Sequence, residues 1–154
     1  VNALDVAEET QEITVELKPI GQTRCPGKEQ DVLEWLRCML TALKYWHGKN
    51  YCHGDVTWGN MVYVPSGKPF WVLTGVDKSS RPGKEVIRWP HAFRGVPLHF
   101  KHDLFQLGQL IDTCVDHRWP EKLEKIRATL VSAVDMPDVT AELVLALVDG
   151  IAAS

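Results

Sequence analysis

Leu33, Leu36, Met39, Leu40, Leu43 and Trp46 recur at intervals of three and four residues, the spacing that puts apolar side chains on one face of a helix. Cys25-Pro26-Gly27 breaks the chain before this stripe and Gly48 follows it. A helix is therefore predicted over about Glu29 to His47, closed by Gly48 in the left-handed conformation. Such a helix runs for about five turns. Its apolar face cannot stay in water and must be covered by other layers of structure. The rest of the sequence is a set of candidates for that covering.

Ahead of the helix, Ile13, Val15 and Leu17 alternate with polar residues until Pro19 and Gly21, which reads as a strand over Glu12 to Ile20 running into a loop. Behind it, a polar loop from Asn50 to Asn60 leads to Met61-Val62-Tyr63-Val64 and Phe70-Trp71-Val72-Leu73-Thr74. These flank a Pro- and Gly-containing turn and read as a short β hairpin. Lys78 to Gly95 has weak periodicity and reads as a long surface loop. Its Lys78, Arg81, Lys84, Arg88 and Arg94 are either a solvated basic spread or a docking site for substrate or partner. Three more helical stripes follow: Leu104, Leu107, Leu110, Ile111 and Cys114; Leu123, Ile126, Leu130 and Val134; and Leu143, Leu147 and Ile151. The expected class is α+β, mainly α.

With 154 residues, 45% of them hydrophobic, the chain is expected to fold as one domain over 1–154, and disorder is excluded on composition. Within it, 1–11 reads as an extension, 12–28 as a strand and loop, and 29–154 as the helical body. The longest apolar run, Leu143 to Val148, is far short of the ~20 residues of a membrane span, and the start lacks a basic segment followed by an apolar one. Neither anchor nor signal peptide is expected. A net charge of -3 offers no long-range attraction to nucleic acid or anionic lipid. Cys25, Cys38, Cys52 and Cys114 match no metal or redox spacing and are sparse for a disulfide scaffold, which favours a reducing intracellular setting, cytoplasmic or nuclear.

The chemistry concentrates in His53-Gly54-Asp55-Val56-Thr57-Trp58-Gly59-Asn60. A loop of this pattern, between a long helix and a hairpin, can aim a carboxylate at a hydroxyl and place an amide oxygen on a Mg²⁺ beside phosphates. The plainer alternative is that Asp55 and Asn60 cap local turns. Asp103, read by itself, can be a helix N-cap. Trp58 either packs locally or offers its indole to a partner. His47, Cys52 and His53, or His99, His102 and Asp103, carry zinc-binding atoms, but neither set has a paired second half. Ser66-Gly67-Lys68 resembles the end of a P-loop, yet Val62 stands where its first glycine belongs, and no Gly-x-Gly-x-x-Gly opens a helix.

These residues resemble the C-terminal lobe of the protein-kinase-like fold, in which a His-x-Asp-x4-Asn loop lies between a long helix and a hairpin, as in protein kinases and the aminoglycoside and choline phosphotransferases. Leu43-Lys44-Tyr45-Trp46-His47-Gly48 leading into His53-Gly54-Asp55 is similar to the kinase-like domains of fungal and oomycete Crinkler-type effectors. Asp103-Leu104-Phe105-Gln106-Leu107-Gly108 resembles the Asp-x4-Gly that opens the buried helix of that lobe. The resemblance covers about Glu12 to Asp116. It implies Asp55 as catalytic base, Asn60 as a Mg²⁺ ligand, His53 and Asp103 as supports of the loop, and ATP with Mg²⁺ as cofactors. Glu12 to Pro19 would be the hinge strand, with Glu16 and Lys18 beside the adenine.

The sequence departs from that pattern in three ways. The metal-binding Asp at the end of the hairpin is replaced by Gly75, with Asp77 two residues further as a displaced second ligand. No Gly-rich loop or strand-borne Lys precedes the hinge, so the N-lobe is expected to be absent. Gly54 and Thr57 stand where many kinases carry Arg and Lys. Losing one chelator removes several kcal/mol of charge stabilisation, and each ~1.4 kcal/mol is tenfold in rate. The expectation is a pseudokinase acting by protein binding, through a partner or homodimer on the face that would meet an N-lobe, near Glu12 to Ile20 and the long helix. The alternative is the C-lobe of an active phosphotransferase whose N-lobe lies elsewhere.

Overall fold

The computed structural model describes residues 25–65, 67–68, 70–114 and 120–153. The expected strand and hinge at Glu12 to Ile20, with Glu16 and Lys18, and the extension at 1–11 lie outside the described residues. Four helices and one two-stranded sheet follow in order: α1 (Glu29–Gly48), β1 (Met61–Val64), β2 (Phe70–Leu73), α2 (Phe100–Cys114), α3 (Glu121–Ser132) and α4 (Ala141–Ala153). The described chain is thus α+β and mainly helical. No helix among the described residues is long and apolar enough to cross a membrane.

α1 is the centre of the packing, because its apolar residues occupy one stripe. Val32, Trp35, Leu36, Met39, Leu40 and Leu43 are fully buried on it. The stripe lies against α4 and β2, while α2 packs on α3. Each such side chain withdrawn from water contributes about 1.5–3 kcal/mol before chain entropy is subtracted. The hairpin is antiparallel, with Met61 opposite Leu73 and Tyr63 opposite Trp71. Period-two alternation sends those four residues to the core side, where the Tyr63 and Trp71 rings lie 4.7 Å apart.

Three local expectations are corrected. α1 runs through Gly48, and the left-handed residue is Asn50, with φ 66°. The Tyr51 amide reaches back to the Trp46 carbonyl and the Asn50 amide to that of His47, both at 3.0 Å, a Schellman closure in which Asn tolerates the positive φ. On α4 the buried face is Ala141, Val144 and Val148, whereas Leu143 is 42% exposed and Leu147 and Ile151 are half-buried. This helix is apolar except at Glu142, Asp149 and Gly150, so periodicity could not select its inner side. The segment after Lys78 is more than a surface loop. Paired backbone groups, Ile87 with Val96 and Gly95 and Leu98 with Glu85 and Gly83, fold it over a small second core of Cys52, Ile87 and Leu98.

α2 and α3 meet at Gly108. A Cβ there would stand 2.9 Å from Leu130 Cβ and 3.2 Å from the Val131 amide nitrogen, so backbone as well as side chain would have to move. Gly108→Ala is expected to lower the unfolding free energy by about 1–3 kcal/mol. Gly48→Ala, with nothing within 4 Å of the added atom, should be neutral or raise it by up to about 1 kcal/mol. Urea denaturation of both variants checks the pair.

Candidate functional site

The loop from His53 to Val56 has no neighbouring strand, yet each of its amides is bonded. Asp103 lies in the first turn of α2 and is fully buried. Its carboxylate accepts from the His53 amide at 2.7 Å and the Gly54 amide at 2.9 Å. Nδ1 of His53 accepts from the Asp55 amide at 3.1 Å, and Oε1 of Gln106 accepts from the Val56 amide at 2.8 Å. Gln106 lies three residues after Asp103, on the same side of the helix. One face of α2 therefore supplies three of the four bonds. His47, near the end of α1, adds a third donor to Asp103 through Nε2 at 2.8 Å.

His53 is buried, with its ring against Trp46. Its Nε2 donates to the Thr74 carbonyl at 2.6 Å while Nδ1 accepts, a pattern that requires the neutral ring with its proton on Nε2. Both nitrogens are committed to backbone. Gly54 has φ 88°, and a Cβ on it would stand 2.7 Å from the Lys78 carbonyl oxygen. Its own carbonyl accepts from Trp89 Nε1 at 3.0 Å, which fastens the long loop to this one.

Asp55 projects from this frame with its side chain 28% exposed. Asn60 Nδ2 donates to both the backbone oxygen and Oδ2 of Asp55, each at 2.8 Å. Lys78 Nζ lies 3.9 Å from the same Oδ2. The hairpin returns to Asn60 through Thr74, whose amide donates to the Asn60 carbonyl at 2.6 Å. At the next position, Gly75, φ is 85° and a Cβ would come within 2.5 Å of Asn60 Cγ and Oδ1. The Asn60 amide thus fills the space that a side chain at residue 75 would enter. Asp77 is exposed, on the 3₁₀ turn Val76–Lys78.

This donor set does not fit a Mg²⁺ held between two acids. Neither Thr74 nor Gly75 carries a carboxylate, and the cation facing Asp55 is the Lys78 ammonium. Among the described residues no group of three His, Cys, Asp or Glu side chains could hold a metal ion. Hydrogen bonds join Asp55 to Asn60 and both His53 and Gly54 to Asp103. None joins Asp77 to Asp55 or Asn60 among the described residues. Glu16 and Lys18 lie outside them.

Sequence reasoning missed Gln106, His47, Thr74 and Trp89. The polar Gln106 inside an apolar stripe, one turn after Asp103, was a usable signal. His47 and Trp89 reach the loop only through the tertiary fold, and Thr74 acts through its backbone. Trp58 takes the packing role: its ring stacks on Trp35 at 4.9 Å and its Nε1 donates to Thr113 Oγ1 at 2.7 Å. Neither Cys52 nor Cys114 is an activated thiol. Burial, with Asp103 nearby, pushes Cys52 up to about 12, and burial pushes Cys114 to about the same value.

No protein-family model matches the chain, and no curated protein matches it significantly.

Two outcomes test the frame. Gln106→Ala leaves the buried Val56 amide unpaired and should cost about 1–3 kcal/mol. Asp103→Ala strips two amides and should cost more, both read by urea denaturation at neutral pH. His102 is held below its ordinary 6.5 by burial and then by Lys101 and His99, and its Nδ1 accepts from the His99 amide. The unfolded chain therefore takes up the proton first, and stability should fall as pH drops from 6.5 toward the lowered folded value. His102→Gln should remove part of that slope.

Proposed function

We propose that this chain is a kinase-like module that acts by binding another protein, with little or no phosphoryl transfer. The order of α1, loop, hairpin and α2, and the carboxylate of Asp103 on the loop amides, support the kinase-like part. The observation that carries the rest is the Asn60 amide, which is turned onto Asp55 and occupies the place where a side chain at Gly75 would stand. Lys78 Nζ approaches, at 3.9 Å, the same Oδ2 of Asp55 that Asn60 holds, so the carboxylate of the loop already has partners within the protein. The binding face in this reading includes the outer side of α1, where Tyr45 is 66% exposed.

A second reading is favoured by the partial exposure of Asp55: a phosphotransferase C-lobe completed by another chain or by further sequence. In it Asp55 is the general base, and Asn60 and Asp77 are the residues toward Mg²⁺, which requires Asp77 to be brought to the loop. The same reading assigns ATP binding to Glu16 and Lys18.

Titration with Mg·ATP, followed by thermal shift, separates the two, because a ligand bound only by the folded state raises its stability. No saturable shift at millimolar nucleotide is expected. Transfer of the γ-phosphate to protein should be equal for the wild type and Asp55→Asn. Transfer that depends on Asp55 would sink the proposal.

A further inference from the structure

A cleft of about 650 Å³ opens between the last turn of α1, the start of α2 and the connection from α3 to α4. Its size falls in the range of about 300–1,000 Å³ typical of small-molecule sites. Phe100, Leu104 and Val139 give it an apolar lining, while Lys44 and Lys101 bring cations to it. Lys44 faces Glu142 at 3.8 Å, and among the described residues no carboxylate pairs with Lys101. His47 also lines the cleft. Its ring stacks on Phe100 at 4.4 Å, and its Nε2 is the donor that holds Asp103.

We propose that this cleft binds a small amphiphilic anion, with an apolar or aromatic body on Phe100 and Val139 and a carboxylate or sulfonate toward Lys101. A neutral body would gain the apolar burial but leave the ammonium partly desolvated without a partner, and a cationic one would be repelled. Occupancy restricts the His47 ring, and through the shared Asp103 carboxylate it steadies the amides of His53 and Gly54. The site and the loop are thereby coupled, whether or not the loop does chemistry.

The probe is anilinonaphthalene sulfonate, an apolar anion whose fluorescence rises in apolar surroundings, titrated into the full chain. The expected result is a saturable response, displaced by naphthoate and about tenfold less effectively by the uncharged naphthamide, the scale of one charge contact. Val139→Trp should abolish the response by filling the cleft. Lys101→Glu, an exposed change that keeps the circular dichroism of the folded chain, should weaken naphthoate about tenfold while leaving naphthamide unchanged. Hydrogen exchange at His53 and Gly54 should slow when naphthoate is bound. The absence of a saturable response, or naphthoate binding unaffected by Lys101→Glu, overturns the site. Binding with unaltered exchange at those two amides overturns the coupling.

Discussion

A carboxylate removed from solvent carries a desolvation cost of several kcal/mol unless strong donors replace the water it has lost. For Asp103 those donors are the amides of His53 and Gly54 and the imidazole of His47, drawn from a loop and from a different helix. The compensation works in both directions. The loop amides are paired with no strand among the described residues, and the carboxylate is buried. Neither α2 nor the loop is therefore satisfied without the other, and α1 enters the same arrangement through His47. The position of Asp55 follows from it, since two backbone bonds anchor the residues immediately before that side chain.

Asn60 shows how one side chain excludes another. Its amide makes two bonds to Asp55, and the tight approach of Gly75 leaves no volume for a second functional group at that turn. The Asn60 amide and, at 3.9 Å, the Lys78 ammonium both meet Asp55 at its Oδ2. The long loop is fastened on the other flank of Asp55, where Trp89 donates to the Gly54 carbonyl.

Helix α1 and the hairpin were legible in the sequence because each is amphipathic with a clear period, 3.6 in one case and two in the other. Asp55 and Asn60 stood out by their spacing, whereas the supporting places of His53 and Asp103 were suggested only by the resemblance to a kinase-like lobe. The inner face of α4 was not, since Leu143, Val144, Leu147 and Val148 offer two equivalent stripes and only the groove on α1 chooses between them. The segment from Ser80 to His99 was not, since its backbone pairs close short irregular turns that leave no repeating pattern. His47 was not, because its partner lies 56 residues away. What sequence showed least was which polar groups share one acceptor.

The bonds from the loop to α2 span about fifty residues of chain, whereas the turns of α1 and the hairpin close over only a few. Closing a long loop costs chain entropy that is recovered only when the distant partner arrives already formed. The His53–Val56 segment therefore acquires its shape late, after α1 and α2 have docked. The loop that carries Asp55 would also be the first part to loosen when the docking of α2 is weakened.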